Sequence, residues 1–287
     1  MALDREVLNI QELGAGDIQK KIQEGCDTIL VPIGSCEQHG NPYTPLGLDG
    51  LVSFAVVELA AKKADVLYTP LMPFGYAPHH MGRVGEGSGT VCLTVETYRR
   101  VLEDIGRSLI YHGFNKIIFV SFHSFNVTNA EEVLFSLRFK TGAFVAFYGG
   151  RETRAVREIL ESTPERLASD FEAAMAMALM EEKFNTKEYL SHSYNVHAPE
   201  WLGPAFSKRA GTGMAVRFQG AENIFIGMDD FEFVSPVAHG ESLPSQTTPE
   251  KGRKILEELS DHLAAFVEEV KKLKIDVRSR DFPERAR

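Results

Sequence analysis

Strand-length apolar runs separated by helical patterns constrain this chain more than any other feature. The runs fall at 28–34 (TILVPIG), 66–72 (VLYTPLM), 116–122 (KIIFVSF) and 143–148 (AFVAFY), each bounded by Gly, Pro or polar residues. Continuous apolarity of this length predicts strands buried on both faces. Helical periodicity occupies 50–63, 94–112 and 127–140 between and after them, and recurs at 164–184 and 249–273. Thr94 is placed to cap the second helix, with Glu96 in its first turn where the helix dipole favours an acid. Pro164 and Pro249 stand where first-turn prolines open a helix. Alternation of this kind predicts an α/β fold of three layers, α/β/α, around a mostly parallel sheet. Its ligand crevice then lies beyond the carboxyl ends of the strands. The 287 residues suit one domain over 1–275 followed by a C-terminal tail over 276–287, whose stretch VRSRDFPERAR reads as loose.

Charge and composition remove several classes of function. With 40 acidic against 31 basic residues the formal net charge is −9, and no Lys/Arg block with interleaved aromatics follows a phosphate backbone. Nucleic acid is therefore not expected as a partner. The first residues, MALDREVLNI, carry no basic region leading into a long apolar stretch, and no apolar run nears the roughly 20 residues that cross a bilayer. A cytoplasmic protein with no membrane partner is expected. Cys26, Cys36 and Cys92 form no C-x-x-C pair and read as reduced thiols. No G-x-G-x-x-G or G-x-x-x-x-G-K-[ST] pattern follows a strand, which argues against a nucleotide site.

The chemistry gathers at strand ends. Glu37 and His39 follow the first run, Asp49 lies ten residues beyond His39, and His123 follows the run 116–122. Carboxylate oxygens and imidazole nitrogens together suit zinc, manganese or iron, and a bridging aspartate lets two ions sit close together. Spacing alone leaves the alternative of a solvated turn open, because E-x-H is common in Gly/Pro-rich loops.

The segment GSCEQHGNPYTPLGLD resembles the signature of the creatininase family, G-S-x-E-Q-H-G followed by L-P-L-G-x-D, with Gly34, Ser35, Glu37, Gln38, His39, Gly40, Pro45, Leu46, Gly47 and Asp49 matching in type and order. PFGYAPHHMGRVGEGSGTVCL, SFHSFN and LPSQTTPEKGRK resemble further family segments in the same order, so the likeness spans roughly residues 25–260. The resemblance implies a two-metal centre holding Zn or Mn, with Fe as a further choice, and hydrolysis of a small-molecule substrate. It also implies a homo-oligomer, a hexamer being favoured. Carried over residue by residue, Glu37 binds one metal, His39 the other, Asp49 bridges and His123 is a further ligand. Glu172, in SDFEAAMAMAL, stands for the family's fifth ligand and as a catalytic group, with Asp170 as its competitor. His80 becomes a substrate contact or catalytic residue, whereas without the resemblance His79 and His80 read as surface residues.

Departures from the family pattern mark a divergent member. One extra residue separates His39 from Asp49, which predicts a bulged loop. Ser124 and Phe125 replace two glycines after His123, predicting an aromatic on the pocket floor. Leu167, Ala168 and Ser169 stand for H-A-G, so any role of that motif's histidine is lost or supplied elsewhere; His192, His197 and His239 fall in loop-like stretches and read as surface histidines by default, with one of them a candidate for the acid/base. Trp201 fits either a core anchor or an interface plug. The expected function is ring-opening hydrolysis of a cyclic amide or related C–N bond. The alternatives are C–C hydrolysis of a cyclic diketone of the diketo-inositol kind in inositol catabolism, and a non-catalytic family member.

Overall fold

The computed structural model describes residues 7–85, 87–149, 153–162, 167–181, 183–191, 193–196, 200–208, 215–219, 221–227, 234–237 and 247–282. After helix α1 (Ala15–Gln23) the chain runs β1 (Thr28–Pro32), α2 (Leu48–Ala64), β2 (Leu67–Tyr68), α3 (Val95–His112), β3 (Lys116–Val120), α4 (Ser124–Thr141) and β4 (Phe144–Tyr148). These strands form one parallel sheet in the order β2-β1-β3-β4. β1 and β3 are buried along their whole length, as continuous apolar runs require. Edge strand β4 is only half-buried over most of its residues.

Strand order explains where the site sits. The connection leaving β1 passes through α2 to β2 on one side, whereas the one leaving β3 passes through α4 to β4 on the other. Crossovers of one hand running in opposite directions place their helices on opposite faces. Accordingly α2 packs with the C-terminal helix, while α3 packs with α4. Between β1 and β3 the two connections diverge, opening the crevice that such sheets use for ligands.

The remaining described elements are α5 (Arg154–Leu160), α6 (Leu167–Leu179), α7 (Thr186–Ser191) and α8 (Pro249–Lys271), with short antiparallel strands β5 (Ser193–Val196), β6 (Phe206–Lys208), β7 (Ala215–Phe218), β8 (Ala221–Phe225) and β9 (Val234–Val237). β5 pairs with β9, and β6, β7 and β8 form a second small sheet. Helix α8 lies against α6 so closely that a Cβ on Gly252 would meet the Ala174 carbonyl oxygen at 2.1 Å. Thr94 caps α3 by accepting from the Thr97 amide at 3.2 Å, and Pro249 opens α8 behind the cap Thr248, as expected. Pro164 lies outside the described residues.

Three expectations are corrected by the packing. The run 66–72 forms only the two-residue strand β2, because Pro70 cannot donate to a ladder; pairing resumes where the Gly34 amide donates to the Met72 carbonyl at 2.8 Å. Residues 276–282 are not loose. The Arg278 amide donates to the Thr141 carbonyl at 2.8 Å, and the Arg280 guanidinium donates to the Ile110 carbonyl at 2.7 Å and to Asn115 Oδ1 at 2.5 Å. Trp201 is 61% exposed, so it is no core anchor. Among the described residues no helix is long and apolar enough to cross a membrane.

Candidate metal centre

Each arm of the centre is set by local backbone. Beyond β1 the chain turns at Asn41–Thr44, and the Glu37 amide donates to the Leu46 carbonyl at 2.8 Å, closing the loop that carries Glu37 and His39. Helix α2 begins two residues earlier than its periodicity predicts, so Asp49 stands in the first turn of a helix, where the dipole favours a carboxylate. The loop thus returns Asp49 on a rigid element despite its extra residue. Ser53, one turn along, donates to the Asp49 carbonyl at 2.7 Å and accepts from the Phe122 amide at 3.3 Å, fastening α2 to the end of β3. His123 is the N-cap residue of α4, which starts at once with Ser124 and Phe125. Neither has positive φ; a helix start needs no glycine there.

Glu37, Asp49 and His123 are all buried, and one ligand atom from each lies within 4.8 Å of the others. His123 Nδ1 stands 2.8 Å from Glu37 Oε1 and 3.5 Å from Asp49 Oδ2. His39 Nε2 lies 3.8 Å from the same Asp49 oxygen. Ser35 donates to Glu37 Oε2 at 2.8 Å, which leaves Oε1 turned toward the imidazole. His123 Nε2 lies 2.9 Å from the Tyr76 carbonyl oxygen. A carbonyl can only accept, so Nε2 carries the hydrogen and the Nδ1 lone pair faces two carboxylates. Such an arrangement demands a cation at that point, either a proton or a metal.

The electrostatics reflect the same demand. Burial alone would lower the basicity of His123, but the Glu37 charge and hydrogen bonds to Asp49 and Glu37 outweigh it and push the imidazole up to about 10. Burial raises the Asp49 carboxyl, yet the His123 hydrogen bond and the charges of His39 and His123 hold it well below the usual carboxylate range. A divalent ion displacing the proton would meet donors already arranged for positive charge.

A cavity of about 140 Å³ opens over these groups, far above the ~10–15 Å³ that one water needs. Glu37, His39, Asp49, His80, His123 and Glu172 all line it, together with Phe122, Ser124, Ala168 and Ser169. Glu172 reaches it from α6, whereas Asp170 is buried and accepts from the Ser162 hydroxyl. His80 Nε2 stands 3.7 Å from Glu37 Oε1, and His79 is buried with its ring stacked 3.9 Å from that of Phe125, so neither is a surface histidine. Phe125 is absent from the cavity wall, and the aromatic floor is Phe122 instead, because the helical start of α4 turns Phe125 toward His79 and Tyr76. His192, His197 and His239 lie outside the described residues.

Sequence reasoning missed Ser35 as the partner of Glu37, the Tyr76 carbonyl behind His123, and Ser53. A serine two residues before an E-x-H carboxylate was visible. A backbone carbonyl has no sequence signal at all.

Residues 11–267 match the family described as creatininase, creatinine amidohydrolase. Creatinine amidohydrolase of Pseudomonas putida is 26% identical over 115 residues, covering 40% of this chain and 44% of that protein. The 3-dehydro-scyllo-inosose hydrolase of Thermotoga maritima is 30% identical over 114 residues, 39% of this chain and 35% of that protein. The mycofactocin precursor peptide peptidase of Mycobacterium ulcerans is 31% identical over 140 residues, 47% and 54% respectively. The matched segments thus span about half or less of these curated relatives. The solved manganese form of creatininase superposes with TM-score 0.69 over 93% of this chain and 100% of that one, at 20% identity. A zinc–zinc form of a creatininase mutant gives 0.69 over 94% and 100%, also at 20% identity. At that identity the likeness concerns the fold.

Proposed function

The chain belongs to the creatininase family, and from that premise we propose that it is a metal-dependent hydrolase that opens a small polar cyclic substrate at an amide or related C–N bond. The observation that carries this reading is the buried convergence of Glu37, Asp49 and His123 within 4.8 Å, with the Nδ1 lone pair aimed between the carboxylates. Their donor set suits zinc or manganese, with iron a further choice. Glu37, His39, Asp49 and His123 would hold two ions, with Glu172 as the fifth ligand from the facing helix. Asp49, whose Oδ2 lies near both His39 and His123, would be the shared carboxylate.

When bound, two divalent ions would supply Lewis acidity and lower the pKa of a water to about 7. The remaining work falls to the chain's own residues. Ser35 and Tyr76 fix the orientation of Glu37 and His123, so little reorganisation is needed when charge develops. Glu172 and His80 both line the cavity and would carry a proton to the leaving atom. The Phe122 ring supplies an apolar wall that limits bulk water.

A second reading, C–C hydrolysis of a cyclic diketone in inositol catabolism, draws on the Thermotoga maritima relative, which is 30% identical over its matched segment against 26% for the creatinine amidohydrolase. Expulsion of a carbanion stabilised by a neighbouring ketone needs the same carboxylate and imidazole groups and no nitrogen leaving group. The amide reading leads because the matching family is described by that chemistry. Metal analysis of wild type, Glu37→Gln, His39→Ala and His123→Ala tests the site; unchanged metal content in all three variants refutes it. Incubation with cyclic amides, formamides and keto-inositols, followed by mass spectrometry, decides the bond: a gain of one water by amides only eliminates the diketone reading, and the converse eliminates the amide one.

On the same premise residues 1–275 are read as one hydrolase domain followed by the 276–287 segment. The protein is read as cytoplasmic and self-associating, with a hexamer favoured and the exposed Trp201 as a support for subunit contact. Light scattering that shows only the single-chain mass at micromolar concentration contradicts the self-association.

A further inference from the structure

One buried amide ties the loop that bears Glu37 and the Tyr76 peptide to the segment that carries His123. Asn126, in the first turn of α4, is fully buried. Its Nδ2 donates to the Gly34 carbonyl at 2.9 Å and to Ser121 Oγ at 3.1 Å, while its Oδ1 accepts from the Tyr76 amide at 3.0 Å. The side chain cannot be flipped, because a carbonyl must face the NH₂ and a backbone N–H must face the oxygen. Gly34 is the root of the loop bearing Ser35 and Glu37. Ser121 also accepts from the His123 amide at 3.3 Å. Tyr76 is held by its amide at one end and presents its carbonyl to His123 Nε2 at the other.

We propose that Asn126 is a positioning residue for the metal centre, holding the Tyr76 peptide so that His123 keeps its Nε2–H form with Nδ1 toward Glu37 and Asp49, and anchoring the Glu37 loop through Gly34. The inference rests on the reading of Glu37, Asp49 and His123 as metal ligands. It is not a packing role alone, because the amide makes directional bonds to three separate segments and each bond sits one residue or less from a group that orients a ligand. Gly75 shows the same constraint from the opposite side. A Cβ there would meet Asn126 Oδ1 at 2.5 Å, Nδ2 at 2.7 Å and the Gly34 oxygen at 2.7 Å. Backbone and amide have been brought as close as a bare glycine allows.

The test compares wild type with Asn126→Ala and Gly75→Ala, and with Tyr98→Phe as a control. Tyr98 donates to the Asn126 carbonyl at 3.0 Å, so its loss disturbs the same helical turn without touching the side-chain amide. Dissociation constants for Mn²⁺ and Zn²⁺ are measured by chelator competition, and the ¹⁵N signals of His123 in the zinc-loaded protein report which ring nitrogen carries the hydrogen. Loss of a group that orients a ligand typically weakens metal binding about 10–100-fold. That loss is expected in Asn126→Ala and Gly75→Ala, with the His123 tautomer shifted, while Tyr98→Phe melts lower with unchanged affinity. Variants that melt lower yet bind metal within about twofold of wild type would overturn the positioning role and leave the metal reading intact. A wild-type protein that binds no metal would overturn the metal reading instead. Should neither variant fold, the zinc-loaded wild type still decides: the expected result is a hydrogen on Nε2 and none on Nδ1, and the reverse refutes the proposal.

Discussion

Replacing Glu37 by Gln isolates the charge of one ligand from its shape. The amide keeps an oxygen for the Ser35 hydroxyl, now 2.8 Å from Oε2, and occupies the same buried space. What disappears is the negative charge 2.8 Å from His123 Nδ1. In the metal-free protein this breaks the buried Glu37–His123 pair, so the melting temperature in EDTA is expected to fall. The metal-induced rise above that lowered baseline isolates metal binding. At a metal concentration 1,000 times Kd, one site stabilises the folded chain by about 4.1 kcal/mol. Loss of a direct ligand charge is expected to weaken the site by about 100-fold or more. At the same concentration the metal is then only about ten times Kd, and the stabilisation falls to about 1.4 kcal/mol. A chain of this size shifts by roughly 2 °C per kcal/mol, so the metal-induced rise should drop from about 8 °C to about 3 °C for that site. Thermal melts with and without Mn²⁺ or Zn²⁺, read beside calorimetric titration, measure it. A Glu37→Gln protein whose metal-induced rise equals that of wild type would show that this carboxylate does not hold the ion.

Three further outcomes are expected. His123 has a folded-state pKa pushed up from 6.5 to about 10, so its contribution to the metal-free protein is complete below about 6.5 and lost as pH rises through about 10; melts in EDTA should decline over that window, and the decline should vanish in His123→Gln. Glu172→Gln should lower kcat by about 100-fold, with little change in melting temperature in EDTA and a smaller metal-induced rise, as expected for a cavity carboxylate that both carries a proton and completes the metal set. Asp170→Asn, whose partner is the Ser162 hydroxyl, should do the reverse, and steady-state kinetics beside melting curves separate the two. Arg280→Ala removes charged donors from the Ile110 carbonyl and Asn115, so it should destabilise the chain by about 1.5–3 kcal/mol by denaturant titration while leaving turnover unchanged.

The sequence by itself determined the sheet and the identity of the chemical groups. Continuous apolar runs at β1 and β3 could only be strands covered on both faces, and the helical patterns between them required crossovers, hence a parallel α/β sheet. Glu37, His39, Asp49 and His123 were legible because ligand chemistry is written in side-chain type and in position relative to strand ends. Tertiary structure decided what depends on distance across the chain. Asn126 bonds to Gly34 at a separation of 92 residues, and Tyr76 meets His123 from 47 residues away, through backbone atoms that every residue possesses. No local pattern encodes such a contact. The choice between Asp170 and Glu172 as the cavity group was likewise invisible, since both sit on one short helix and only the placement of α6 beside the crevice turns one toward it. Phe125 was assigned to the pocket floor for the same reason: its neighbours in sequence suggested a glycine-like loop, whereas the start of α4 at His123 rotated the ring onto His79 and left Phe122 to line the cavity. Side-chain type fixes what a residue can do, and the packing of helices against the sheet fixes what it faces.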